Sequence, residues 1–285
     1  MREGSVLVIG AGGAIGSEAV RQLRARNLAV TATWRTRRPD MIAALEALGA
    51  ETAQLDLEDR DAARRLIDMS AAVLFIPILT ASAAAATHLR PGQPAVFFSS
   101  NNVAIDFEAP VYARLREGEA AVRKAAPHAV ILRPTMIYGY PGDGNLSRLV
   151  RFMKRSPVTP MPGTGRALQQ PVYYADLVEV AIEALFNETR SGKTAAVAGP
   201  GPVTLKDMYE TAKAAAGART AILSMPVTTA GTLMQSFEKT GVKFPVKSAQ
   251  LLRAEKDKDP QGDHIVLTRT ELREGLQKLA AAIGE

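Results

Sequence analysis

The residues best suited to chemistry lie at the start of the chain, in Val6-Leu7-Val8-Ile9-Gly10-Ala11-Gly12-Gly13-Ala14-Ile15-Gly16. An apolar run breaks into glycines at 10, 13 and 16 and passes into an amphipathic segment, Ser17 to Arg26. A strand, a glycine turn and a helix in that order suit a bound pyrophosphate. Unpaired amides and the helix dipole favour an anion at a helix amino end. A Cβ at the crossing would hold the backbone too far from the phosphates. Gly10, Gly13, Ala14, Ile15 and Gly16 are therefore the expected cofactor-binding residues. The bland alternative is a glycine-rich turn in an ordinary α/β protein.

A second group follows one strand later. In dinucleotide folds the residue ending the second strand faces the adenosine ribose, where an acid favours NAD and a guanidinium favours the 2′-phosphate of NADP. Here Leu28–Trp34 ends in Arg35, 19 residues after Gly16, with Arg37 and Arg38 close behind. Each charge-assisted bond is worth roughly 1.5–3 kcal/mol, so NADP is favoured over NAD. A solvated loop of arginines is the competing explanation. Asp56-Leu57 ends the third strand, where a carboxylate could accept from the adenine amino group or cap the next helix.

The elements that must position these groups alternate. Val6–Ile9, Ala29–Trp34, Thr52–Leu55, Val73–Ile76, Ala95–Phe98 and Ala129–Leu132 read as strands. Glu18–Arg26, Asp40–Leu48, Asp59–Met69, Ala81–His88 and Ala113–Lys124 read as helices. This pattern predicts an α/β, Rossmann-type doubly wound parallel sheet, with ligands at the carboxyl ends of its strands. A helix near Asp176–Phe186 and a strand Thr194–Ala198 follow, then a proline-broken portion that includes Pro245, with a charged loop at 255–263. The expected division is 1–138 and 171–199 as the dinucleotide domain. The remainder, 139–170 and 200–285, is expected to be a small, mostly helical substrate-binding region.

Composition narrows the classes. The chain has 285 residues, is 47% hydrophobic and contains no cysteine. That excludes disulfides and thiolate metal sites and fits a cytoplasmic protein. Met1 leads almost directly into the first strand, so no signal peptide is expected. The apolar stretch Ala71 to Ala86 is short for a membrane span. The net charge of +6 comes from scattered basic residues, apart from Arg35, Arg37 and Arg38, which favours an anionic small ligand over nucleic acid. His88, His128 and His264 lie far apart, so no metal site is expected.

Further motifs fall in a recognisable order: the glycine loop, Asp56-Leu57, Val96-Phe97-Phe98-Ser99-Ser100, Leu132-Arg133-Pro134-Thr135-Met136-Ile137-Tyr138-Gly139 and Gln170-Pro171-Val172-Tyr173-Tyr174-Ala175-Asp176-Leu177. Over roughly residues 5–190 the chain resembles the extended and atypical short-chain dehydrogenases/reductases, the NAD-dependent epimerase/dehydratase group. The resemblance implies a nicotinamide near Ser99, Ser100, Pro134 and Thr135. It implies a catalytic tyrosine with a lysine four residues on, which here reads Tyr112 and Arg116. Lowering a phenol from about 10 to about 7 takes roughly 4 kcal/mol. One positive charge about 4 Å away at an effective dielectric of about 20 supplies a similar amount. Arg116 could therefore serve electrostatically, although its planar head is a poor match for ribose hydroxyls.

The usual catalytic serine position, after Ser99 and Ser100, reads Asn101-Asn102, and Asn101 is the expected amide donor to a substrate oxygen. A second register stays open. Aligning Gly118-Glu119 on the small-residue–glutamate pair of this helix moves the tyrosine and lysine positions to Val111 and Leu115.

After Gly139, a turn-rich loop leads to a helix near Asn145 that carries Arg148, Arg151, Lys154 and Arg155. Asn145, Arg148 and Arg166 are the expected substrate-binding residues, on the analogy of relatives that hold a nucleotide-sugar diphosphate. The expected activity is an NADP-dependent oxidoreductase or epimerase acting on a carbonyl or hydroxyl of a small, nucleotide-linked sugar or similar molecule. The alternative is a non-catalytic NADP-binding sensor or accessory protein. Relatives of this kind are often homodimers.

Overall fold

In the computed structural model, which describes residues 4–226 and 256–284, strand β1 (Val6–Ile9) has all four side chains buried. That is what an apolar run covered on both faces requires. It pairs in parallel with β2 (Val30–Trp34) on one side and β4 (Ala72–Ile78) on the other. Outside these lie β3 (Glu51–Gln54), β5 (Ala95–Phe98) and β6 (Val130–Pro134). Thr194–Ala198 and Ile265–Leu267 complete an eight-stranded sheet. Its order is β3-β2-β1-β4-β5-β6, then Thr194–Ala198 and Ile265–Leu267. Pairing is parallel from β3 through Thr194–Ala198. The chain order reverses between β1 and β4, the place where such sheets bind ligands.

Buried Leu7, Ile9, Phe75, Phe97 and Ile131 pack with Ile67, Leu79, Tyr112 and Leu115 from helices. Phe75 and Phe97 stack with centroids 4.1 Å apart. At the carboxyl end of β4 the register slips between Phe75 and Ile78, so Ile76 and Pro77 bulge beside the glycine turn.

Two compact units emerge. The first comprises Met1–Pro134, Ala175–Val197 and Gln261–Val266; the second comprises Thr135–Tyr174, Ala198–Pro260 and Leu267–Glu285. The expected helix Ala81–His88 instead begins as a short α-turn, Leu79–Ser82, and continues as a 3-10 helix to His88. The hydroxyls of Ser82 and Thr87 bond back to carbonyls at 77, 78 and 84, in competition with a regular ladder.

The second unit contains helices Leu146–Arg155, Leu205–Ala216 and Leu272–Gly284. Val158–Pro162 pairs with Ala221–Met225, and shorter ladders join Ile137–Tyr138 to Val172–Tyr173 and Leu168–Gln169 to Val203–Thr204. These short strands gave no period-2 signal. Pro245 and the first residue of the charged loop, Glu255, lie outside the described residues.

Candidate functional site

Helix α1 (Ala14–Ala25) begins earlier than its amphipathic pattern suggested, directly from the glycine turn. Its ladder opens with the Ser17 amide on Gly13 O, so the amides of Ala14, Ile15 and Gly16 lie ahead of it. Gly13 is the N-cap residue, and no side chain caps this end.

The three glycines have three different physical reasons. Gly10 sits at φ +84, a left-handed conformation, with Pro77 Cδ 3.0 Å from where a Cβ would stand. Gly16 lets the helix press on the turn, because a Cβ there would meet Ala11 Cα at 2.6 Å. Gly13 is exposed, and its missing Cβ faces open space with nothing within 4 Å. The β2 residue Thr33 takes up the turn's own amides: its carbonyl accepts from Ala11 at 2.8 Å and its hydroxyl from Gly10 at 3.3 Å. What remains is a row of main-chain donors at a helix amino end with room above Gly13, which fits a pyrophosphate.

Arg35 and Arg37 are exposed beyond β2. The arginine that reaches the glycine turn is Arg38, whose guanidinium donates to Gly12 O. Asp56 does not cap the next helix. Asp59 does, accepting from the Ala62 amide at 3.0 Å, while exposed Asp56 accepts from the Glu58 amide at 3.1 Å. Leu57 packs partly buried against the core. Trp34 is half-buried, and its indole nitrogen has no hydrogen-bond partner among the described residues.

Tyr112 lies on the buried stripe Tyr112, Leu115, Gly118, Glu119, Val122 of helix Pro110–Ala125. It is 8% exposed, and its hydroxyl accepts from Asn102 Nδ2 at 2.8 Å. The amide facing the phenol belongs to Asn102. Asn101 is buried, and its Oδ1 accepts the Gln261 amide at 2.9 Å. Both sit in a 3-10 turn, Asn101–Ala104, capped by the Ser100 hydroxyl. Arg116, expected as the stand-in for a ribose-binding lysine, donates to the carbonyls of Val103, Asp106 and Phe107 at 3.0, 3.4 and 3.1 Å. It also lies 5.1 Å over the Phe107 ring. It clamps the 103–107 backbone.

Ser99, expected at the nicotinamide, is buried, and its hydroxyl donates to Glu119 at 2.6 Å. Glu119 in turn accepts two bonds from Arg133 of β6, Nε–H at 2.9 Å and a second through NH2. This serine–glutamate–arginine knot joins the end of β5, the helix and β6. In the sequence Glu119 stands only as half of a small-residue–glutamate pair. Burial lowers the pKa of nearby Arg123; Glu119 opposes that shift and Arg133 adds to it. Pro134 ends β6, buried opposite Val197.

In the second unit, the buried carboxylate of Asp143 accepts the amides of Gly139, Asn145 and Ser147 at 3.1, 3.0 and 2.9 Å. It fixes the loop that enters helix Leu146–Arg155, a role that a turn-forming Asp-Gly pair did not reveal. Asn145 donates its side-chain amide to Ile137 O at 3.3 Å, so this expected substrate residue also braces the loop. Arg148 is half-buried and Arg166 exposed, and neither guanidinium has a hydrogen bond or ion pair among the described residues.

Cavities of ≈ 550 and ≈ 390 Å³ flank Leu28 and Phe186, with Val6, Ala29, Ala72 and Pro94 in the smaller. They open at the amino ends of the strands, away from the glycine turn. Among the described residues no cluster of His, Asp or Glu could hold a metal. No helix among them is long and apolar enough to cross a membrane.

The model of a family described as NAD(P)H-binding matches residues 10–88. Subunit 9 of the mitochondrial NADH dehydrogenase [ubiquinone] 1 alpha subcomplex of Arabidopsis thaliana is 31% identical over 138 residues, 47% of this chain. The match spans about a third (34%) of that protein's length.

Solved structures align over 98% of the chain. UDP-glucose 4-epimerase of Thermotoga maritima, with UDP-glucose, gives a TM-score of 0.68 at 15% identity over 98% of its chain. dTDP-glucose 4,6-dehydratase of Bacillus anthracis, with NAD, gives 0.66 at 13% over 96%. UDP-glucuronic acid 4-epimerase of Bacillus cereus, with NAD, gives 0.68 at 16% over 96%. Residues 10–88 thus match an NAD(P)H-binding family, and the chain has the Rossmann-type fold that these epimerases and this dehydratase also have.

Proposed function

We propose that this protein binds NADP at the glycine turn and acts as a dinucleotide-binding sensor or accessory protein, without a tyrosine–lysine centre. The observation that carries this is the wiring of helix Pro110–Ala125. Tyr112 faces the core with its hydroxyl on Asn102, and Arg116 is bound to three backbone carbonyls. An acid–base tyrosine must reach its substrate within hydrogen-bond distance, and a buried phenol held from inside is poorly placed for that. The likeness to an NADH dehydrogenase subunit over 47% of the chain supports an accessory role.

In this reading the Ala14, Ile15 and Gly16 amides hold the pyrophosphate. Arg38 and Arg35 hold the 2′-phosphate, Asp56 the adenine, and Ser100 and Pro134 flank the nicotinamide. Bound NADPH would bring a hydride at C4 of its nicotinamide. Trp34, the chain's single tryptophan, lies beside these arginines and gives a built-in probe. Titration with NADPH should quench Trp34 emission saturably, with NADH binding more weakly. No quenching and no heat of binding with either nucleotide would overturn the reading.

One observation favours a second reading, an oxidoreductase or epimerase of a small anionic, nucleotide-linked sugar. Asn102 and Tyr112 form a donor–acceptor pair just beyond β5, beside Ser99 and Ser100, where the resemblance implies the nicotinamide. The second unit also holds 17 Lys and Arg against 10 Asp and Glu, whereas the first holds 18 against 19. Arg148 and Arg166 would then bind the diphosphate. NADPH oxidation with a nucleotide keto-sugar, abolished by Tyr112→Phe, would establish this reading over the first.

A further inference from the structure

We propose that Asn101 is a positioning residue that ties the segment Gln261–Val266 to the nicotinamide end of the dinucleotide site. The proposal rests on the dinucleotide reading above. Asn101 is 1% exposed, and its Oδ1 accepts the main-chain amide of a residue 160 positions later, Gln261, at 2.9 Å. The adjacent residue, Asn102, presents its amide to Tyr112. The Ser100 cap, the Asn102–Tyr112 bond and the Arg116 clamp on Val103 O all hold the same turn, and all come from residues 100–116. The Gln261 bond comes from elsewhere in the chain.

The sheet order gives this bond its reach. Ile265–Leu267 is the edge strand, and β6 and Thr194–Ala198 stand between it and β5. The chain just before the edge strand must therefore pass two strands to meet Asn101 at the end of β5. Gly262, at φ +121, supplies the left-handed turn that follows the contact. An asparagine amide is short, and in a 3-10 turn it is coupled rigidly to its neighbour. A displacement of Gln261 is thus transmitted to Asn102, and occupancy at Asn102 is transmitted back to the segment.

The test uses the full chain with two probes, NADPH and 2′,5′-ADP, the latter lacking the nicotinamide half. Asn101→Leu keeps the volume and removes the acceptor, whereas Asn101→Asp keeps the acceptor. Asn101→Leu should bind 2′,5′-ADP as the wild type does and NADPH about five- to tenfold more weakly, the loss of one ordinary hydrogen bond. Asn101→Asp should stay within about twofold of wild type for both, a rescue that general damage to the fold would not produce.

Hydrogen exchange on the wild-type protein tests the tie without any variant. NADPH should slow the Gln261 amide by at least about fivefold, and 2′,5′-ADP should leave it unchanged. A wild-type ratio of the two affinities in Asn101→Leu, or a Gln261 amide indifferent to NADPH, would overturn the tie. Wild-type protein that binds neither probe would instead overturn the dinucleotide reading itself, and the proposal with it.

Discussion

Replacing Gly13 with alanine separates binding from folding better than any other change in the glycine turn. The new methyl meets nothing within 4 Å, and the native backbone there, φ −99 and ψ 166, suits any residue. The folding cost is the modest preference of an N-cap for glycine over alanine, about 0.5–1 kcal/mol. For a chain of this size that lowers Tm by about 1–2 °C. The same methyl would stand in the open space over the Ala14–Gly16 amides. Pushing a phosphate off even one charge-assisted bond costs roughly 1.5–3 kcal/mol, or about ten- to a hundredfold in Kd.

Gly16→Ala is the control of opposite character. Its Cβ would collide with Ala11 Cα at 2.6 Å, backbone that cannot turn aside. It should lose stability by about 1–3 kcal/mol or more before binding is even considered. The assay is NADPH titration by Trp34 quenching, with thermal unfolding in parallel. If Gly13→Ala binds NADPH with wild-type affinity, the phosphates do not sit on that helix end. The argument from the missing Cβ then fails.

Arg38→Ala should weaken NADPH by about tenfold, the value of one guanidinium–phosphate bond, and leave NADH within about twofold; equal losses would remove Arg38 from the 2′-phosphate. Tyr112→Phe should lower stability by about 1 kcal/mol through the lost Asn102 bond while NADPH affinity is unchanged; a loss of measurable turnover would favour the enzyme reading. Glu119→Gln leaves Arg133 without its carboxylate and should destabilise the fold by about 3 kcal/mol, near the low end for a broken buried pair, read as a fall in the urea midpoint. Burial raises the pKa of Tyr209, and burial with Asp143 nearby raises that of Tyr140, above the usual 10.0. The unfolded chain then ionises first, so stability should be flat below about pH 10 and fall as pH rises further. Tyr209→Phe should flatten part of that fall in an alkaline melting series.

Strands β1, β4, β5 and β6 were readable from their apolar runs, and the alternation of strands with helices, which permits few topologies, supplied the more polar β2 and β3. The glycine turn was readable because spacing and context agree. The β2 arginines were readable as a cluster but not as individuals. Arg38 reaches Gly12 because it stands at the N-cap of helix Pro39–Ala47, a placement set by where the loop turns rather than by residue type. Asp143 and the short ladders of the second unit leave no sequence signal for a related reason. A carboxylate collecting three amides has no periodic signature, and two-residue strands carry no pattern at all.

The helix after β5 shows most sharply what spacing alone leaves open. Counting from Tyr112 suggested a tyrosine–arginine pair, and counting back from Gly118-Glu119 suggested Val111 and Leu115. The contacts show what Gly118 and Glu119 do in the fold. Gly118 is small because its helix lies against Leu79, whose Cβ would be 3.3 Å from an added methyl. Glu119 is acidic because it must accept from both Ser99 and Arg133. Those two residues fix the rotation of the helix about its axis. With the rotation fixed, Val111 points outward at 47% exposure, while Tyr112 and Leu115 turn into the core. The knot that anchors the helix is therefore also what turns Tyr112 toward the core, where its hydroxyl accepts from Asn102.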